Sequence, residues 1–242
     1  LGIEAPLGMP FNRAFHPEEI DWVLARNPGR GVTVLAILVW AVLGALLARR
    51  RTIHAVLFVL ISAGAGWLSA QFGMDANLLA FVVATVAFWL AFALPRFALV
   101  AVSTILAGWL LAAPFVTPLI FADPRFVANL PTSWAIRSEI WRFACDRIVE
   151  QPWIGRGMDA ARAFTEQITV RGETMRALPL HPHSASLQIW LETGAVGALL
   201  AALALVCGGW GLARAFRHNR SAAAAATASL AALGLFANVS YG

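Results

Sequence analysis

Two histidines flank a proline at His181–Pro182–His183, and a helical run follows them to Glu192 and the glycines Gly194 and Gly197. An imidazole that stays neutral near pH 7 can take a proton from a hydroxyl, the work of a general base. His183 stands where a helix is about to begin, and the positive end of a helix disfavours imidazolium. Spacing alone favours a plainer reading, a histidine capping or packing at the head of that helix. The proline after His181 holds that residue extended, so its ring need not point with that of His183. His181 is expected as a neighbour rather than as the base. A metal centre built from His181, His183 and Glu192 is not expected, because nine residues of helix separate Glu192 from His183 by roughly 13 Å. No metal ligands are assigned.

Arg137 is the second candidate. It stands beside Trp134 and Trp141, and a guanidinium held against aromatics suits a phosphate or a diphosphate. A surface arginine paired with Glu139 or another acid is the plainer alternative. Arg30, in NPGRGV at the mouth of an apolar stretch, reads first as a snorkelling interface arginine. Gly194 and Gly197 read as close helix packing where a span enters the bilayer. Trp134, Trp141, Trp153 and Trp190 read as an interfacial belt or a loop core.

The elements that must position these residues are apolar helices. The hydrophobic residues make up 60% of the 242 and the charged ones 13%, a polytopic membrane composition. Six stretches reach or nearly reach the roughly 20 residues a spanning helix needs: Gly31–Ala48, Ile53–Ala70, Ala76–Leu94, Phe97–Val116, Ala195–Ala213 and Ala222–Val239. The second holds the small, polar SAGAG and SAQFG segments and is expected to be short or broken. The alanine run Ala222–Ala226 is read as helix. The chain starts at Leu1 and ends in NVSYG, and is read as a piece of a longer protein. The fold class is all-α, a polytopic transmembrane helical protein with a large extracytoplasmic helical loop. Residues 1–30 form an outer segment, 31–116 four spans, 117–186 the loop that carries the site, and 187–242 two further spans.

Orientation follows from arginine placement, since every one of the 18 Lys+Arg residues is an arginine. Arg49, Arg50, Arg51, Arg96, Arg214, Arg217 and Arg220 share one side if every stretch crosses once, and that side is cytoplasmic. The long loop is then extracytoplasmic, with a tight turn near Gly73–Asp75 on the same side. Within the loop, Ile136, Ile140, Phe143, Ala144 and Ile148 recur at helical spacing. Thr132 or Ser133 is the expected N-cap, and Pro152, Gly155 and Gly157 end the helix in a turn. A second short helix is expected at Met158–Ile168, irregular chain over Thr169–Pro182, and a helix from Ser184 running into span five. Cys145 and Cys207 are not expected to pair. The basic balance does not suggest nucleic acid, because no basic run carries interleaved aromatics. The span centres hold almost no ionisable residue, which argues against an ion-coupled pump.

RSEIW, then QPWIGRG, then HPHSASLQIWLETGAVG, then a span, resembles the O-antigen ligase and polymerase superfamily of bacterial envelopes. Its ligase pattern is a histidine, then Asn, Ser or Gln, then nine residues and Gly-x-x-Gly; here that is His183, Ser184, Ala185–Thr193, Gly194 and Gly197. The loop arginine before a tryptophan and the P-x-x-G-x-G turn match too. NPGRGV is similar to the family's R-x-x-x-L setting, with Val34 in the place of the leucine. The resemblance implies an enzyme of the bacterial inner membrane that joins a glycan from an undecaprenyl-diphosphate donor to a sugar hydroxyl of lipid A–core at the periplasmic face. It implies neither nucleotide, metal nor other cofactor. His183, Arg137 and Arg30 would be catalytic, and His181, Arg156 and Trp141 would contact substrate. This chain would be roughly the C-terminal half. A polymerase or a protein O-oligosaccharyltransferase of the same superfamily differs in acceptor, which these residues do not specify. A non-enzymatic transporter or scaffold would need polar residues lining the spans, and few are present.

Overall fold

The computed structural model describes residues 13–14, 17–18, 21–49, 51–71 and 75–239. Its helices are α1 (Asp21–Ala48), α2 (Thr52–Gln71), α3 (Asp75–Ala93), α4 (Ala98–Ile120), α5 (Pro124–Ala128), α6 (Thr132–Glu150), α7 (Ala185–Ala215) and α8 (Arg220–Val239). A hairpin of β1 (Gln167–Val170) and β2 (Glu173–Arg176) lies between α6 and α7. Among the described residues six helices are long and apolar enough to cross a membrane: α1 from Arg30 onward, α2, α3 from Ala76 onward, α4, α7 and α8. The chain is a multi-pass membrane protein of all-α class. The expected turn around residues 73–75 falls largely outside the described residues, as do Arg50 and nearly all of residues 1–20.

The chain divides into two compact units. The first comprises residues 1–102 and 209–236. Trp40 packs on Phe81 and Phe88, with ring centroids 5.4 and 5.6 Å apart. Small residues let α8 pack closely. A side chain at Gly44 would meet the Cβ of Ala225 and the carbonyl of Ser221 at 2.8 Å. Ala223, Ala224 and Ala228 are fully or almost fully buried, so the alanine run is a packed helix. The Ser229 hydroxyl donates to the Ile37 carbonyl at 2.8 Å. The expected weakness of span two is not observed, since α2 runs unbroken over 20 residues. Glycine in such a helix costs little where the lipid offers the backbone no competing partner.

The second unit comprises residues 103–208 and 237–242. Its core joins Ile140, Trp141, Ala144, Cys145 and Ile148 of α6 to Leu187, Trp190, Leu191 and Ala198 of α7 and Ala113 of α4. Three of the five periodic positions are buried, and Ile136 and Phe143 pack on the cluster's edge. The N-cap of α6 is Pro131 rather than Thr132 or Ser133, and no side chain caps it. The Pro131 carbonyl instead accepts from the amides of Trp134 and Ala135 at 2.9 and 3.0 Å. Thr132 is occupied elsewhere, because its hydroxyl accepts from the Arg171 guanidinium at 2.9 Å.

Arg171 also explains the hairpin, which replaces part of the expected short helix and part of the expected irregular chain. Val170 pairs with Glu173 across a two-residue turn, and both turn residues have positive φ: Arg171 at 52° and Gly172 at 87°. Two positive φ values make a turn whose twist suits a hairpin. Arginine is an unusual first residue there. Its guanidinium is held by Thr132 and by the carbonyls of Ala128 and Leu130, at 3.0 and 2.6 Å. What remains helical near the expected second helix is a 3-10 turn at Ala160–Ala163.

Candidate functional site: a histidine turn beside a broken helix

α6 carries Arg137, and the burial of its neighbours fixes which way it faces. Trp141, one turn further along the same face, is buried, and its indole N–H donates to the Pro182 carbonyl at 2.7 Å. That bond ties the His181–Pro182–His183 turn to the helix face bearing Arg137. Trp134 packs edge-on against Trp141, with centroids 6.2 Å apart, and the Arg137 guanidinium lies over Trp134 at 5.8 Å. Arg137 is half-buried and has no carboxylate partner among the described residues. Burial holds its pKa below the ordinary arginine value, though the group stays cationic at neutral pH. By contrast Arg142 pairs with Glu139, Arg147 and Arg156 with Glu150, and Arg162 with Asp159.

His183 has a φ of 54°, in the left-handed region. Histidine tolerates that region better than most residues, yet it still costs energy that the surroundings must offset. Besides the Trp141 bond to Pro182, contacts within the turn hold it. The His183 amide donates to Nδ1 of His181 at 3.3 Å, and the two rings meet edge-on with centroids 4.6 Å apart. An Nδ1 that accepts is unprotonated, so His181 carries its proton on Nε2. Burial lowers the His181 pKa, which favours the same neutral form. The rings do meet, although the extended geometry did not require it.

The helix begins at Ala185, so Ser184 rather than His183 precedes its first residue, and the Ser184 carbonyl accepts from the Gln188 amide at 2.9 Å. Ser184 and Ser186 are buried and turn their hydroxyls to Oδ1 of Asn238, at 3.5 and 2.5 Å. The same oxygen accepts from the Trp109 indole at 3.2 Å. Asn238 escaped notice in the sequence because it ends an otherwise apolar span. A lone amide in such a span was the available signal.

Gly194 breaks α7, with φ 61° and ψ −162°. An unbroken helix would pair the Ala195 amide with the Leu191 carbonyl and the Val196 amide with the Glu192 carbonyl. Here the loop after α6 takes all four groups. Ala195 donates to Pro152 at 2.7 Å and Val196 to Trp153 at 3.2 Å, while Arg156 donates to Leu191 at 2.8 Å and Gly157 to Glu192 at 2.9 Å. The loop thus replaces two lost helical bonds with four. Backbone approaches this close exclude side chains: a Cβ at Gly155 would lie 2.5 Å from the Glu192 backbone, and one at Gly194 would strike the Trp153 backbone. Gly194 therefore serves a helix break and a backbone dock, not the helix–helix packing expected of it. Gly197 serves Thr193, whose hydroxyl a Cβ there would strike. The Glu192 carboxylate accepts from the Asp159 amide at 2.7 Å and from the Gln188 side chain.

The structure thus brings His181, His183, Ser184 and the Arg137 face together through Trp141. Trp141 lies in the core, where it positions the turn. Arg156 lies elsewhere: its Nε donates to the Arg147 carbonyl, ten residues along α6 from Arg137 and so about 15 Å away. Its ion pair with Glu150 and its position over Phe164 brace the loop against α6. Arg30 is exposed in the other unit, inside α1 (which starts at Asp21) and at the first residue of its apolar span, as expected.

The O-antigen ligase family model matches residues 36–202. Two proteins provisionally named polysaccharide ligases are similar over 180 residues, one from Rickettsia conorii at 32% identity and one from Rickettsia typhi at 31%. Both alignments cover 71% of this chain but 42% and 43% of the relatives, so the chain spans about two fifths of their length. No solved structure matches it. Both halves of the backbone dock and the histidine turn fall inside the matched stretch, and on that match the chain belongs to the O-antigen ligase family.

Proposed function

We propose that the chain is part of a ligase that moves O-antigen polysaccharide from undecaprenyl diphosphate to a sugar hydroxyl of lipid A–core, at the periplasmic face of the inner membrane. His183 removes the proton from the acceptor hydroxyl as its oxygen attacks the anomeric carbon of the donor. The bond from that carbon to the diphosphate oxygen breaks, and the lipid diphosphate leaves with the electron pair. Arg137 compensates the charge that grows on the leaving group. Arg30 keeps the role the resemblance gives it, that of a catalytic arginine, on sequence grounds alone. The reading calls for neither metal nor nucleotide. His181 and Ser184 hold the base in place, and Trp141 and Arg156 act through the turn and the loop.

The observation that carries this reading is the Arg137 guanidinium, half-buried and without an acid partner among the described residues, on the helix face tied to a strained histidine turn. A cation so placed suits an anion that arrives from outside the chain. The test is reconstitution of the full-length protein with purified lipid-linked glycan and either lipid A–core or a second lipid-linked glycan. Consumption of lipid A–core, lost in His183→Ala with normal membrane insertion, is the expected result. Consumption of the second lipid-linked glycan instead would make the protein a polymerase. Full transfer by His183→Ala would overturn the assignment of the base.

A further inference from the structure

The backbone dock at Gly194 also fixes the level of the loop against the bilayer. Beyond Gly194, α7 is apolar, and Val196, Leu199, Leu200 and Leu203 stand 51–63% exposed on its surface, the face a span turns to lipid. Glu192 and Gln188, before the break, are polar. By composition the break falls where a partly polar turn gives way to the apolar stretch. Pro152 and Trp153 are bonded to the first two residues past it, and Arg156 and Gly157 to the last polar turn before it. The side chains on this pinned segment are large, apolar and open: Trp153 is 73% exposed, Ile154 78% and Met158 79%. A short loop that exposes three such residues invites a partner. Val149 and Leu180 are exposed too, but no such bonds set their level.

We propose that Trp153, Ile154 and Met158 are embedded in the bilayer surface as a wedge of the loop, and that the partner is bulk membrane lipid. Continuity with the lipid-facing side of α7 selects that partner. Large apolar side chains of this kind, the tryptophan indole among them, suit the boundary between headgroups and acyl chains. The wedge holds the loop at the membrane whatever reaction the protein performs.

Single nitroxide labels at positions 154, 158, 173 and 199 of the full-length protein, in vesicles of phosphatidylethanolamine and phosphatidylglycerol, test this by collision with oxygen and with a water-soluble nickel chelate. Oxygen should win several-fold at Ile154→Cys and Met158→Cys, as at the lipid-facing Leu199→Cys. The chelate should win at Glu173→Cys on the hairpin, whose side chain is exposed. Two wedge positions guard against one label disturbing the loop. Chelate preference at both would overturn the wedge. So would oxygen preference that appears only after undecaprenyl diphosphate is added, since the occupant would then be the donor's tail.

Discussion

Arg137 and Arg142 lie five residues apart on α6, yet among the described residues only Arg142 of the two has a carboxylate to pair with. An exposed pair such as Arg142–Glu139 contributes about 0.2–1 kcal/mol, whereas a half-buried cation without an acid costs desolvation energy that a bound anion would return. Arg137→Ala should therefore lower glycan transfer about a hundredfold, and Arg142→Ala should leave it near the parent rate. Equal losses in initial-rate assays would remove Arg137 from the donor site. On the proposed mechanism transfer should also survive chelation by EDTA, because guanidinium groups would carry the diphosphate charge. His181 gives a second test. Its folded pKa is depressed below the unfolded value of about 6.5, so its contribution to stability is complete above that value and is lost as pH falls through the folded pKa. Histidine-labelled NMR should show an unprotonated Nδ1 at pH 7 and a midpoint below the unfolded value; a higher midpoint would contradict a neutral support for His183. Burial, then the charge of Asp146, pushes the Cys145 thiol up to about 12. Maleimide should therefore leave it unlabelled at pH 8 until the protein is unfolded. Legibility at this scale followed residue type: the histidines, Arg137 and Ser184 announced themselves, while Asn238 did not, because its role depends on three donors from distant stretches.

The loop from Pro152 to Gly157 and the break at Gly194 stabilise each other as elements. Their four shared bonds contribute about 0.5–1.5 kcal/mol each. Gly155 and Gly157 separate the two requirements on glycine. Both have positive φ, at 67° and 89°, but only Gly155 lies against backbone, while open space surrounds Gly157. Gly157→Ala should cost the left-handed penalty alone, about 1–2 kcal/mol. Gly155→Ala and Gly194→Ala should cost clearly more and lower transfer as well, measured by thermal unfolding in detergent and by rate. Equal costs at Gly155 and Gly157 would show that the close approach is unimportant. The periodicity of α6 was plain in the sequence, because burial on one helix face writes itself at fixed spacing. The hairpin was not, because Arg-Gly becomes a turn only when Ala128, Leu130 and Thr132 are there to hold the guanidinium.

For the whole molecule, six apolar helices and the arginines that flank them set the topology. Arg49, Arg51, Arg96 and Arg217 fall in connections, and Arg214 and Arg220 at the helix ends beside one, and one side of the membrane must share all of them if each helix crosses once. An impermeant maleimide should therefore label Glu173→Cys from the periplasm in intact cells, and Arg96→Cys only after the inner membrane is opened. Labelling of position 173 only after opening would place the loop in the cytoplasm and overturn the orientation. The sequence by itself determined the six spans, the α6 face and the histidine motif, because hydrophobic length and helical period are local properties of a chain. The tertiary structure decided that Gly194 breaks its helix, that residues 152–157 complete the broken ladder, and that Trp141 and Asn238 lock the histidine turn. Each of those is a bond between residues tens of positions apart, and an unpaired backbone group at the edge of a bilayer must find its partner wherever the fold supplies one.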